Sequence, residues 1–242
     1  MKAIIVAGGK GTRLHPLTKN IPKPMIEVAG KPILEHTLDL LVASGIKEFI
    51  FTLCYFPKVI TDYFGDGSKF GVKIEYVYED EQLPLGTAGA IATVSNNINE
   101  TFIVTYADIL RKLDVGDMIK QHHAAKAFST IHTYKRFGAD PKSMIIFDQH
   151  RKITAFVERP ELSQIKTDFV WANGSFYIFE PDIFKLIPPK QAVDFGKNVF
   201  PKILSAQGKL YAYPSEEYFI DIGNLEKLSL ARKQFIPPKL GN

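Results

Sequence analysis

Apolar positions along this chain repeat with two periods that alternate through its first half. Ala3 to Val6 is an unbroken apolar run, the pattern of a short strand buried on both faces. From Pro32 the spacing changes: Leu34, Leu38 and Leu41 share one helical face, and Gly45 supplies a stop. Glu48 to Leu53 reads as a second buried strand. A short helix follows near Val59 to Phe64, closed by Gly65-Asp66-Gly67, and Val72 to Tyr78 alternates apolar and polar as a third strand would. The Leu85-Gly86-Thr87-Ala88-Gly89-Ala90 stretch opens another helix, with Thr87 available as its cap. Phe102 to Thr105 is a fourth strand, ending near Asp108. This alternation predicts a parallel, doubly wound sheet, and in such sheets ligands bind beyond the carboxyl ends of the strands. From Lys126 the pattern turns strand-rich: Phe128 to Thr133, Met144 to Phe147, Ile153 to Val157 and Phe169 to Phe179 read as extended. Helices near Asp194 to Leu204 and Asn224 to Phe235 complete the chain, and Pro237-Pro238-Lys239 reads as a fraying end.

Composition narrows the class without deciding it. The 242 residues are 45% hydrophobic and 23% charged, enough apolar material for a sizeable core. A net charge of +4 favours anionic small molecules and does not mark a nucleic-acid binder. Cys54 is the one cysteine, which excludes an internal disulfide and suits a reducing compartment. No apolar run approaches the roughly 18 residues of a membrane span, and Lys10 and Arg13 arrive too early for a secretory leader. A cytoplasmic protein without membrane or nucleic-acid partners is expected. The adjacent His122-His123 pair is expected on a helix surface, since neighbours on a helix cannot both face one metal. The aromatic residues of 169–179 are expected to pack rather than to stack on a base.

The chemistry concentrates where the first strand ends. Ala7-Gly8-Gly9-Lys10-Gly11-Thr12-Arg13-Leu14 places bare backbone N–H groups beyond a strand, and Arg13 and Lys23 follow as cations. That combination suits polyphosphate. The spacing matches neither a P-loop nor the G-x-G-x-x-G dinucleotide fingerprint. The full string Gly8 to Thr18, followed by Pro22-Lys23-Pro24-Met25, resembles the signature of the sugar-nucleotide pyrophosphorylases, or sugar-1-phosphate nucleotidylyltransferases.

The resemblance covers essentially the whole chain and carries specific expectations. It implies a Rossmann-like, mixed, mainly parallel α/β sheet of the GT-A-like type. One domain, 1–242, is expected, with 1–125 as its nucleotide-binding half and 126–242 as its sugar-phosphate-binding half. In the family the signature loop cradles the nucleotide, which assigns Ala7, Gly8, Gly9, Gly11 and Thr12 to substrate binding. Gly11 is expected to face the triphosphate, and Arg13 and Lys23 to contact phosphates. The Leu85–Gly89 segment, through Gly86 and Thr87, would meet base and ribose. Asp108 and the Asp of Asp221-Ile222-Gly223 would be the protein ligands of Mg²⁺, although Asp221 could instead cap the last helix. Arg13, Lys23, Asp108 and Asp221 form the expected catalytic set. Glu158 and Arg159, with Asn173 and Gly174, would hold the sugar phosphate: Glu158 and Asn173 by hydroxyl contacts, Arg159 by gripping the phosphate.

Four departures stand out. Ala107 replaces the usual Gly before Asp108, Arg159 replaces Lys, Asn173-Gly174-Ser175 replaces Asn-Ala-Gly, and Lys142-Ser143 follows Asp140-Pro141 where many relatives have Tyr-Gly. The implied reaction joins a sugar 1-phosphate and a nucleoside triphosphate into a nucleotide-sugar, releasing pyrophosphate. The Leu85–Ala90 and Asp194–Pro201 blocks look most like small bacterial guanylyltransferases acting on mannose or manno-heptose 1-phosphate. Uridylyl or thymidylyl transfer to another hexose 1-phosphate is the alternative, and an inactive nucleotide-sugar-binding regulator is the reading of another class. The length leaves no room for the extra β-helix of some members, so acetyl transfer is not expected. The pattern specifies no oligomeric state.

Overall fold

The computed structural model describes residues 1–83, 85–138 and 141–237. Asp140 and the Pro238-Lys239 part of the proline-rich tail therefore lie outside the described residues. In chain order the strands and helices are β1 (Lys2–Val6), β2 (Glu27–Val28), β3 (Lys31–Pro32), α1 (Ile33–Ala43), β4 (Glu48–Leu53), α2 (Pro57–Phe64), β5 (Lys73–Tyr78), α3 (Gly86–Ala92), β6 (Phe102–Tyr106) and β7 (Ile109–Arg111). They continue with α4 (Val115–Ala124), β8 (Ser129–Phe137), β9 (Ser143–Phe147), β10 (Ile153–Glu158), β11 (Phe169–Phe179), α5 (Phe200–Ser205), β12 (Leu210–Ser215), β13 (Phe219–Asp221) and α6 (Leu225–Gln234).

These elements form two compact units that interleave along the chain, each drawing on both sides of residue 125. One comprises 1–84, 105–115 and 217–242, and the other 85–104 and 116–216, so the boundary falls inside β6. In the first unit β1 pairs parallel with β4, and β4 with β5, in registers that set Val6 opposite Thr52 and Thr52 opposite Val77. The apolar runs read from the sequence are the strand interiors: Ala3, Ile4, Ile5, Phe49, Ile50 and Phe51 are all buried. Phe51 meets Phe64 of α2 edge-on at 5.5 Å. A second cluster unites Leu14, Ile33, Leu110, Ile220, Leu228 and Phe235, drawing the loop after β1, α1, β7, β13 and α6 together. Asn224, not Asp221, caps α6, its Oδ1 accepting from the Lys227 N–H at 2.9 Å. Asp221 is thereby left to other work.

The second unit is mostly antiparallel. β11 pairs with β8, with a register shift between Asn173 and Tyr177, and β9 pairs with β10. β12 joins β8 in parallel. β12 was not legible in the sequence because Pro214 interrupts its alternation, and proline within a run argues against a strand. The expected helix at 194–204 comes in two parts, a π-helical turn over Phe195–Val199 and then α5. Tyr177, Phe179, Phe195 and Phe200 pack against one another, and Phe176, Tyr177 and Phe179 are buried as expected. The expectation of a surface His122 is wrong. The ring is 1% exposed, because its place on α4 points it at β8, where it meets Thr130 Oγ1 at 2.8 Å. His123 is exposed. Among the described residues no helix is long and apolar enough to cross a membrane.

Candidate functional site

Parallel pairing brings Ala7, Cys54 and Glu79 to one end of the first unit's strands. The Ala7 N–H donates to Thr52 O at 2.9 Å and the Glu79 N–H to Leu53 O at 2.7 Å, so the ladder runs into the glycine loop. A Cβ at Gly8 would stand 3.1 Å from Cys54 Cβ and 3.3 Å from Glu79 Oε1, whereas Gly9 borders open space. Thr12 and Arg13 are exposed on the following 3-10 turn. Lys10 pairs with Glu81 at 2.6 Å.

Gly11 does not have the surroundings expected of it. Its φ of 64° lies in the left-handed region, and an added Cβ would come within 2.9 Å of Lys23 Cβ and 3.2 Å of Thr18 Cγ2. The missing side chain thus makes room for Lys23. Thr18 Oγ1 donates to Gly11 O at 2.8 Å and holds the turn shut.

The two aspartates are joined by a short ladder. β7 and β13 pair antiparallel with Asp221 opposite Ile109, and the Ile222 N–H donates to Asp108 O at 3.1 Å. Lys23 fills the space between the carboxylates. Its Nζ lies 2.5 Å from Asp108 Oδ2 and 3.9 Å from Asp221 Oδ1, and its side chain is 8% exposed against 34% and 18% for the aspartates. Arg13 reaches the same corner: a Cβ at Gly223 would lie 3.6 Å from Arg13 Nη2 and 3.7 Å from Asp221 Oδ1. Two carboxylates that converge on one cation form a hard oxygen donor set of the kind Mg²⁺ takes, with its remaining positions left to water and phosphate. Ala107 departs from the usual glycine without strain. Its φ is not positive, its N–H donates to Val6 O at 3.1 Å, and its methyl is buried.

Within the second unit, Thr87 does not cap α3. The N-cap residue is Leu85 and no side chain caps the turn. The Thr87 hydroxyl instead donates to Asp194 Oδ2 at 3.0 Å and accepts from the Phe195 N–H at 3.1 Å. The glycines of α3 face backbone rather than open space. A Cβ at Gly86 would sit 2.6 Å from Val193 O, and one at Gly89 would sit 2.7 Å from Gln191 O. The Ala88 and Gly89 N–H groups both donate to Val193 O.

Asp194 links this segment to Glu158. Its Oδ1 accepts from the Gly196 and Lys197 N–H groups, and a Cβ at Gly196 would stand 2.6 Å from Glu158 Oε2. Burial, reinforced by the Asp194 charge, raises the Glu158 carboxyl above the usual carboxylate range, while Lys197, Arg159 and Lys142 pull the other way. Three cations thus surround one acid. Arg159 is exposed, its backbone at φ 48° with its N–H donating to Lys142 O.

Asn173 braces the register shift of β11. Its Nδ2 donates to Tyr177 OH and its Oδ1 accepts from the Ser175 N–H, each at 2.9 Å, while its own N–H donates to Ser143 Oγ. A methyl at Gly174 would run into the ring and carbonyl of His132. That contact leaves room only for glycine at 174, and Ser175 takes the left-handed conformation at φ 53°.

The family model described as Nucleotidyl transferase matches residues 2–236. The chain belongs to the nucleotidyl transferase family. This family member is 37% identical over 228 residues to a mannose-1-phosphate guanylyltransferase of Mycobacterium tuberculosis, a match that takes in 93% of this chain and 61% of that protein. It is 33% identical over 237 residues to a UTP–glucose-1-phosphate uridylyltransferase of Synechocystis, with the same 93% and 61% shares. The chain therefore spans about three fifths of the length of these curated relatives. Among solved structures it matches HddC from Yersinia pseudotuberculosis with a TM-score of 0.80 at 28% identity, over 97% of this chain and 99% of that one.

In this member of the family the loop Gly8–Thr12, Arg13, Lys23, Asp108 and Asp221 all belong to the first unit, and Gly86, Thr87, Glu158, Arg159, Asn173 and Gly174 to the second. Sequence reading missed Glu79. Its Oε1 is buried without a hydrogen bond, and burial raises its pKa, offset in part by a nearby Thr52 hydroxyl whose geometry falls outside a hydrogen bond. Its place at the end of a predicted strand, level with the glycine loop, was the available signal. Lys142 and Lys197 were missed as cations because only folding brings them to Glu158.

Proposed function

We propose that this chain transfers a nucleotidyl group from a nucleoside triphosphate to a sugar 1-phosphate, with GTP and mannose or manno-heptose 1-phosphate as the preferred pair. The observation that carries the reading is the convergence of Asp108 and Asp221 on Lys23, with Arg13 beside them. An oxygen of the sugar phosphate attacks the α-phosphorus in line. The new P–O bond forms as the bond to the bridging oxygen breaks, and pyrophosphate departs with that electron pair. Such a transfer needs positioning and charge neutralisation rather than a covalent intermediate on the protein. Asp108 and Asp221 would hold Mg²⁺, which when bound neutralises phosphate charge. Lys23 and Arg13 supply fixed positive charge to the phosphates, and the backbone from Gly8 to Thr12 orients the nucleotide. In the second unit Arg159, with Lys142 and Lys197, binds the sugar phosphate, and Glu158 accepts from sugar hydroxyls.

Glu79 supports the choice of base. Guanine presents adjacent N–H donors on its Watson–Crick edge, and an ionised carboxylate is acceptor-only. Uracil and thymine present one donor between two carbonyls, which leaves a carboxylate oxygen facing an acceptor. The solved HddC complex with GMP-PN and the guanylyltransferase among the relatives lend this reading weight. The uridylyltransferase relative keeps UTP as the second reading. Retention of all four charged groups weighs against an inactive regulator, and the nucleotide substrates agree with a cytosolic setting.

The test is pyrophosphate release with Mg²⁺, each common nucleoside triphosphate and a panel of sugar 1-phosphates. The highest kcat/KM is expected with GTP and a manno-configured sugar, and no turnover in EDTA. A roughly tenfold preference for UTP or dTTP, about 1.4 kcal/mol, would overturn the base while keeping the reaction. Silence across the panel would overturn the reaction.

A further inference from the structure

Among the described residues, one group outside the site above brings metal-competent donors together. Contrary to the expectation that adjacent histidines on a helix cannot face one metal, one ligand atom each from His122, His123 and Glu180 lies within 4.8 Å of the others. All three belong to the second unit, at the last turn of α4 and just past the end of β11. We propose that His122, His123 and Glu180 form a binding site for a borderline transition-metal ion such as Zn²⁺, which ties the end of α4 to the end of β11.

The donor set decides the class of ion. Two imidazoles and one carboxylate suit Zn²⁺, whereas Mg²⁺ prefers oxygen ligands alone. The spacing agrees. His122 Nε2 and Glu180 Oε1 are 3.1 Å apart. Tetrahedral Zn²⁺ with bonds of about 2.0–2.1 Å separates its ligand atoms by about 3.3 Å. In the metal-free protein the same two atoms make a hydrogen bond, which the ion would replace.

Both fixed ligands are already oriented from behind. His122 Nδ1 lies 2.8 Å from Thr130 Oγ1, and Thr101 Oγ1 donates to Glu180 Oε1 at 2.8 Å. The Thr130 hydroxyl can donate or accept, so the ring can move its proton to Nδ1 and turn a lone pair at Nε2 toward the ion. Access comes from Glu180, 36% exposed, which borders a cleft of about 540 Å³ also lined by Lys126, Asp182 and Lys209. The exposed His123 closes the set. A purely structural His122 would need only Thr130 and Glu180.

The test is titration of chelator-stripped protein with Zn²⁺ by calorimetry, with Co²⁺ absorption as a second readout and thermal melts as a third. One Zn²⁺ per chain is expected, with a thermal midpoint that rises on binding. Outer-shell changes alone alter metal affinity by roughly 10–100-fold, so removing a ligand in His123→Ala should weaken Zn²⁺ by about a hundredfold or more. That variant should keep its metal-free midpoint and its Mg²⁺-dependent pyrophosphate release. His150→Ala, at another exposed histidine, should bind Zn²⁺ like the wild type. No saturable binding, equal affinity in wild type and His123→Ala, or displacement by modest Mg²⁺ would each overturn the site, the last by assigning the ion to Asp108 and Asp221.

Discussion

An ammonium held 2.5 Å from one carboxylate and 3.9 Å from a second neutralises a charge pair that would otherwise repel itself. Asp108→Asn and Asp221→Asn should each lower kcat by roughly two orders of magnitude, the scale of losing one preorganised electrostatic contact. Circular dichroism and thermal melting should show the fold intact. Full activity in both variants would sink the assignment. Arg13→Ala should reduce kcat as well as kcat/KM, because the interaction strengthens in the transition state. A normal kcat with only a raised KM would leave Arg13 a binding role alone. Glu79 offers a sharper residue-scale outcome. Glu79→Gln presents one donor and one acceptor, the complement of a uracil or thymine edge. The ratio of GTP to UTP kcat/KM should fall by about tenfold or more, since an unmatched buried polar group costs about 1–3 kcal/mol. An unchanged ratio would remove Glu79 from base selection.

Among elements, α3 is the clearest case of tertiary packing reversing a local preference. Alanine inside a helix is ordinarily more stable than glycine by about 1 kcal/mol. At Gly89 the new methyl would meet Gln191 O at 2.7 Å and Leu85 Cβ at 3.0 Å. Backbone atoms cannot swing aside, and overpacking typically costs about 1–3 kcal/mol. Gly89→Ala should therefore destabilise, as read from the midpoint of urea unfolding, and a gain in stability would refute this packing. The same segment shows why Thr87 was misread as a cap. Thr near the start of a helical run fits a cap by sequence, but its hydroxyl is claimed by Asp194 and Phe195 from far along the chain. α6 is the opposite case, since Asn224 acts locally on Lys227 and its role needed only the spacing.

At the scale of the molecule, buried titratable groups tie stability to pH. Burial raises Glu79 and Glu158, and it lowers His36 and His122. For the two acids the native state holds more protons than the unfolded chain between the ordinary carboxylate value and the raised one. Stability therefore falls as pH rises through that interval and stays reduced above it. For the two histidines the unfolded chain holds more protons between the lowered value and the ordinary imidazole value, so stability falls as pH drops through that interval. Glu158→Gln should accordingly raise the thermal midpoint at pH 8 and have no such effect at pH 4, where the wild-type carboxyl is already protonated. Each kcal/mol relieved should read as about 2–4 °C in a chain of this size. An equal shift at both pH values would show that the effect is not electrostatic.

Local and periodic features were legible in the sequence alone. The buried strands Glu48–Leu53 and Phe169–Phe179, the glycine loop after β1 and the cations Arg13 and Lys23 follow from residue order, because periodicity and bare backbone are local properties, whereas Asp221 and the metal role of Asp108 came from the resemblance to the family. Folding decided what those groups face. Asp108 and Asp221 share Lys23 because β7 and β13, each too short to announce itself by periodicity, pair across a large sequence separation. Gly11 makes room for Lys23, α3 rests on Val193, and Glu79 arrives beside Gly8 through the parallel register of β1, β4 and β5. His122 passed from expected surface to buried pivot for the same reason: helix rotation against β8 chooses which of two adjacent histidines turns inward, and that choice is made by packing, not by the chain's own periodicity.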